Sequence, residues 1–144
     1  MSRIGEVLIQ TAFPAHPFWQ RLIDGGYQGV AREALQDRRA AHWPPFSRLA
    51  LVRAAAHERK DAHAILDAAA RRVGETGAGR VSVLGPVDAP MARRAGRYRA
   101  QLLLQSTDRR ALHEVLADLR PTLESEPASR RSRWSIDVDP VELF

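Results

Sequence analysis

The hydrophobic period changes repeatedly along residues 49–139, and this change is the feature that most restricts the fold. Apolar residues recur at every second position in four short stretches and at helical spacing in two longer ones. The first spacing predicts strands, and the second predicts amphipathic helices. Their order predicts an α+β fold of the ferredoxin-like split βαβ plan (βαββαβ), with two helices on one face of a four-stranded sheet.

The predicted elements have definite bounds and faces. The strands cover residues 49–54, 80–84, 97–105 and 133–139, and the helices cover 60–73 and 106–119, with Pro121 after the second helix. Four residues of the third strand share the face expected under the helices: Tyr98, Ala100, Leu102 and Leu104. Five share the helix-free face, the side of the sheet opposite the helices: Arg97, Arg99, Gln101, Leu103 and Gln105.

The segment Trp43-Pro44-Pro45-Phe46 is the best candidate for a domain boundary, because two adjacent prolines exclude a continuing helix. Before it, Gly5–Phe13 is typical of a strand. Two helices are predicted next, over residues 16–23 and 30–40, separated by Gly25-Gly26. We therefore predict two domains, residues 1–43 and 44–144.

Composition excludes several function classes. Cysteine is absent, so disulfides, thiolate catalysis and cysteine-ligated metals are ruled out. No stretch has the roughly eighteen consecutive apolar residues of a membrane span, and no secretory signal is recognisable, so we expect a cytoplasmic protein. The glycine-rich loop 74–79 follows a helix and lacks the lysine of a phosphate-binding loop, and the histidines show no metal-ligand spacing. We expect no catalytic site, metal or cofactor in this chain.

Charge points to a polyanionic partner. The net charge is +5, and 21 of the 22 basic residues are arginine, which contacts phosphate bidentately and stacks on bases. The segment 93–99 holds four arginines, a glycine and a tyrosine, with Asp88 the only acidic residue close by. Its alternative reading is a solvated loop whose arginines pair with nearby carboxylates. The residues predicted to bind DNA are Arg93, Arg94, Arg97, Tyr98, Arg99 and Gln101.

Several of these segments resemble one protein family. They are Gly85-Pro86-Val87-Asp88-Ala89-Pro90-Met91, Arg94-Ala95-Gly96-Arg97-Tyr98-Arg99 and residues 101–105, flanked by residues 5–11, 44–46 and 133–140. In this order they resemble the C-terminal region of the primosomal protein N′ (PriA) family, the bacterial replication-restart DNA helicases. The resemblance covers essentially the whole chain.

The resemblance implies that residues 1–43 are the tail of the second helicase lobe and that residues 44–144 form a C-terminal DNA- and partner-binding domain. It implies ATP-dependent 3′-to-5′ unwinding by the whole protein, with ATP, magnesium and zinc bound by segments absent here. The implied partners are forked or single-stranded DNA, primosome proteins and the acidic tail of single-stranded DNA-binding protein. No membrane partner is implied. For that tail the implied residues are Arg109, at the start of the second helix, and His113, one turn later.

Two other function classes remain open from the sequence. The ferredoxin-like plan also suits a free-standing RNA- or ribosome-associated protein. It suits a small-molecule regulatory domain as well, although the arginine content disfavours that class.

Overall fold

The computed structural model describes residues 5–142, which divide into two compact units, one ending at Ala41 and one beginning at His42. The second unit contains β1 (Arg48–Ala56), α2 (Arg59–Thr76), β2 (Ser82–Arg94), β3 (Arg97–Ser106), α3 (Arg109–Ser125) and β4 (Ser132–Val138). A short 3₁₀ helix (Pro127–Arg130) precedes β4. The first unit contains α1 (Pro17–Ala40).

The four strands form one antiparallel sheet in the order β2-β3-β1-β4. Helices α2 and α3 pack on the same face of the sheet. The strand residues that point to this face and the apolar residues of the two helices form a single core. Ala100, Leu102 and Leu104 of β3 lie in this core, as their alternation predicts. The predicted ferredoxin-like fold is confirmed.

Two elements run past the ends predicted for them, and both contain prolines beyond those ends. Strand β2 continues from Ser82 to Arg94 through Pro86 and Pro90, with register irregularities between Leu84 and Val87 and again after Asp88. As the edge strand it tolerates prolines. Helix α3 contains Pro121 instead of ending before it, because Leu123 beyond the proline is fully buried.

The first unit differs more from its prediction. Residues 5–13 form no strand, because they have no neighbouring strand to supply a hydrogen-bonded ladder, and Val7 and Leu8 are exposed. The two predicted helices are present as two helical segments of α1 that meet at a kink at Gly26, whose φ of 58° is non-helical. The break falls at the predicted glycine pair, but the second segment follows it directly.

The helix-free face is only partly open. Leu49 and Leu51 alternate onto it, yet they are 3% and 1% exposed. Nearby, the Gln105 side-chain amide donates to the His42 carbonyl and to Ser47 Oγ, which places residues 42–47 at this end of the face. Gln105 is therefore bound within the fold and does not project to solvent as predicted. The polar half of the face remains accessible.

Candidate nucleic-acid interface

The polar half of the helix-free face is assembled from three strands. In the register of β1, Arg53 lies between Gln101 of β3 and Ser135 of β4, and Ala55 lies between Arg99 and Arg133. The small side chain of Ala55 leaves a cavity of about 240 Å³, lined in part by Arg53, Arg99 and Arg133. Residues distant in the sequence thus converge through strand pairing.

Two further cavities adjoin this one. A cavity of about 590 Å³ is lined by Arg53, Arg94, Arg99 and Gln101, with Ala89, Pro90, Met91 and Glu142. At the other end, a cavity of about 430 Å³ is lined by Arg97, Arg130, Arg131 and Arg133, with His57, Glu58, Asp61 and Ser132. Because neighbouring cavities share arginines, they form one continuous surface, here called the arginine trough. It is defined by six residues: Arg53, Arg94, Arg97, Arg99, Arg130 and Arg133.

Most arginines of the trough form no ion pair with a carboxylate of the described residues. Within residues 5–142, only Arg53 of these six arginines forms an ion pair, with its Nη1 2.9 Å from Asp137 Oδ2. The neighbouring Arg131 is paired with the buried carboxylate of Asp61 at 3.1 Å. A row of arginines without carboxylate partners attracts a polyanion, because each bound phosphate would neutralise one of them.

Asp88, the carboxylate nearest in sequence to segment 93–99, faces away from the trough. It lies opposite the core residue Ala100 and binds two side chains of α2, Arg59 at 2.8 Å and His63 at 2.7 Å. The hydrogen bonds from Arg59 and then from His63 lower the pKa of Asp88 to about 2. The alternative reading, in which nearby carboxylates neutralise this segment, therefore loses its one local candidate.

The predicted DNA-binding residues divide between the two faces of the sheet. Arg94 lies opposite Arg97, and both join Arg99 and Gln101 in lining the trough. Arg93 instead lies opposite Tyr98, with its guanidinium carbon 5.2 Å from the centre of the tyrosine ring. Strand alternation puts this pair on the helix side, so Tyr98 is not placed to stack on a base in the trough.

Three arginines of the trough were not among the residues predicted to bind DNA: Arg53, Arg130 and Arg133. A signal was present for Arg53, which is the one charged residue between Leu49 and Ala56 of β1. Its proximity to Arg133 depends on the pairing of β1 with β4, which adjacent positions in the sequence do not reveal.

The residues implied for partner docking lie at the start of α3. Arg109 and His113 are both exposed, one turn apart. The Asp108 carboxylate already accepts hydrogen bonds from the backbone N–H groups of Arg110, at 2.8 Å, and Ala111, at 3.2 Å. These two N–H groups are therefore already bound within the chain and are not available to a partner's carboxylate. The side chains of Arg109 and His113 remain as the exposed groups of this patch.

Residues 5–142 contain no cluster of three or more histidine, aspartate or glutamate side chains that could hold a metal ion. None of the helices in this described range is long and apolar enough to cross a membrane.

Comparison with known proteins gives a consistent family. The family described as the primosomal protein N C-terminal domain matches residues 39–141. The chain is 38% identical over 139 residues to the replication restart protein PriA of Haemophilus influenzae, covering 96% of this chain and 19% of that protein. It is 27% identical over 140 residues to the replication restart protein PriA of Bacillus subtilis, covering 97% of this chain and 17% of that protein. The chain thus spans about a fifth of the length of these relatives.

Among solved structures, the de novo designed protein Foldit4 superposes with a TM-score of 0.50 at 9% identity, covering 67% of this chain and 99% of that one. At this identity the likeness concerns the fold alone.

Proposed function

The chain belongs to the primosomal protein N C-terminal domain family, and from that premise we propose that it is the DNA-binding C-terminal part of a cytoplasmic replication-restart helicase. The arginine trough is the observation that carries the proposal. It is a basic surface that runs from the helix-free face to the end of the sheet beside the start of α2, and five of its six arginines have no ion-pair partner among the described residues.

The trough suits single-stranded DNA in particular. Its cavities adjoin one another through shared arginines, so an extended strand can place successive phosphates beside Arg94, Arg99 and Arg133. The trough has Ala89, Pro90 and Met91 for apolar contact with bases, and no base-reading pair of exposed aromatics as in an RNA-recognition sheet. We therefore expect binding dominated by phosphate contacts and tolerant of sequence.

Other roles follow from the family as further parts of the proposal. We assign ATP-dependent unwinding, and the binding of ATP, magnesium and zinc, to segments of the full-length relatives outside this chain. Docking of the single-stranded DNA-binding protein tail or of primosome proteins is assigned to the exposed patch of Arg109 and His113.

The test is the salt dependence of binding to a labelled oligothymidine, measured by fluorescence anisotropy. The variant Arg99→Gln with Arg133→Gln should weaken binding and reduce the log–log salt slope by about 1–2 units, at roughly 0.7 for each lost phosphate contact. The matched control is Arg71→Gln with Arg120→Gln, which removes the same charge from exposed positions on the two helices. This control should retain most of the salt slope.

Equal effects of the two double variants would mean that net charge alone drives binding, and the trough would be rejected as the interface. An oligouridine of the same length separates the DNA function from the RNA-associated alternative. Binding of the RNA at least tenfold tighter than the DNA would favour that alternative.

A further inference from the structure

We propose that the segment Asp139–Glu142, here called the tail strap, covers part of the arginine trough and competes with DNA for Arg53. This inference rests on the proposed function, because it concerns regulation of the same surface.

The chain bends directly after β4. Asp139 has a φ of 51°, in the left-handed region that aspartate enters more readily than most residues, and its backbone N–H donates to the Leu49 carbonyl at 2.9 Å. This turn ends the strand and fixes the start of the tail strap against β1. The following residues lead back over the helix-free face.

The tail strap ends on Arg53. One guanidinium nitrogen of Arg53, Nη2, donates to the Glu142 carbonyl at 2.9 Å, while the other, Nη1, contacts the Asp137 carboxylate at the same distance. Arg53 pairs with Ser135 of β4 in the sheet, so a contact with residue 142 requires the chain to have folded back. Glu142 also lines the cavity of about 590 Å³ together with Arg94 and Arg99.

These contacts occupy the centre of the trough. Arg53 lines both the 240 Å³ and the 590 Å³ cavities, so it lies where a strand crossing the sheet would pass. Nη1 of Arg53 contacts Asp137 of β4, and Nη2 donates to the Glu142 carbonyl, so departure of the strap would free Nη2 for a phosphate while Nη1 keeps its carboxylate partner. The strap also adds the negative charge of Glu142 beside the other arginines.

The first test compares the full chain with a variant that ends at Pro140. Removing the strap should tighten oligothymidine binding about two- to fivefold, because Arg53 loses a competing hydrogen bond to the Glu142 carbonyl and the trough loses one exposed carboxylate. It should also steepen the log–log salt slope by about 0.7, because Arg53 gains a phosphate contact. Glu124→Gln removes one exposed carboxylate from α3 and controls for net charge. It should leave affinity within about 1.5-fold.

The decisive measurement is a double-mutant cycle with Arg53→Gln. If the strap acts mainly through Arg53, deleting it in the Arg53→Gln chain should give a clearly smaller gain in affinity, the part that comes from losing the Glu142 charge beside Arg94 and Arg99. An equal gain in both backgrounds, or no gain in the full chain, would overturn the proposal.

A second readout needs no DNA. Arg53→Gln in the otherwise intact chain should move the backbone amide resonances of Val141 and Glu142 toward unstructured values. Unchanged resonances would refute the strap by themselves. If no variant binds oligothymidine, the proposed DNA-binding function fails, and the amide shifts still decide whether the strap exists.

Discussion

At the scale of single residues, Asp88 gives a prediction about pH. The pKa of Asp88 in the folded protein is about 2, below its ordinary value of 3.8, because of hydrogen bonds from Arg59 and then His63. A lowered folded-state pKa means that the ion pair stabilises the fold above about pH 4, and that this stabilisation is lost as pH falls through about 2. Asp88→Asn should therefore lower the free energy of unfolding at pH 6, and the difference from the native chain should shrink toward zero near pH 2.

Urea unfolding at several pH values measures this difference. Glu124→Gln, at an exposed position of α3, serves as the control and should change stability little at any pH. A difference between Asp88→Asn and the native chain that stays constant from pH 6 to pH 2 would contradict the proposed role of the carboxylate.

Asp88 also shows which feature of the site could not be predicted from the sequence. The pattern shows that Asp88 is near segment 93–99 in the sequence, but the face it occupies depends on the register irregularities of β2. Beyond the second irregularity, ordinary strand alternation puts Arg93 and Arg94 on opposite faces. The composition identifies a basic segment, but the strand register determines which of its arginines lie on one face and can contact the same ligand.

At the scale of elements, α3 contains an internal proline, and burial of a side chain beyond the proline offsets its cost. Proline within a helix costs about 3 kcal/mol because it leaves one carbonyl without a donor and crowds the preceding turn. The helix continues to Ser125 because Leu123 is fully buried in the core. Leu123→Ala should therefore lower the free energy of unfolding by about 2–5 kcal/mol.

Chemical denaturation measures this cost, with Glu124→Ala as the neighbouring exposed control, expected within about 0.5 kcal/mol of the native chain. If the helix ended before Pro121, Leu123 would lie in a loop, and its truncation would cost no more than the control.

The strands and helices of residues 49–139 were predictable because each buries one face, and a buried face leaves a periodic pattern. Residues 5–13 show the limit of this reasoning. Their composition is that of a strand, but composition cannot supply a pairing partner. Pro86 and Pro121 show a second limit, because an edge position or a buried contact can override a local breaker.

At the scale of the whole molecule, the two units differ in what they bury. In the second unit, eleven large side chains are less than 2% exposed, including Leu102 and Leu119. In α1 no residue is buried, and Ile23 and Tyr27 are 74% and 79% exposed. Burial of apolar surface is the main favourable term in folding, so the helix of the first unit has little beyond its own hydrogen bonds to stabilise it.

Native-state hydrogen exchange on the full chain should therefore show different amide protection in the two units. Backbone amides of α1 should exchange within minutes at neutral pH, close to the rate of an isolated helix, because opening them exposes little apolar surface. Amides at the centres of β1 and β3 should exchange only through global unfolding, and their protection should fall as urea is raised, in parallel with the free energy of unfolding. Leu123→Ala should lower protection in β1 and β3 while leaving α1 unchanged, because Leu123 belongs to the second unit's core. Protection in α1 equal to that of β3, or lowered together with it by Leu123→Ala, would show that the two units unfold as one.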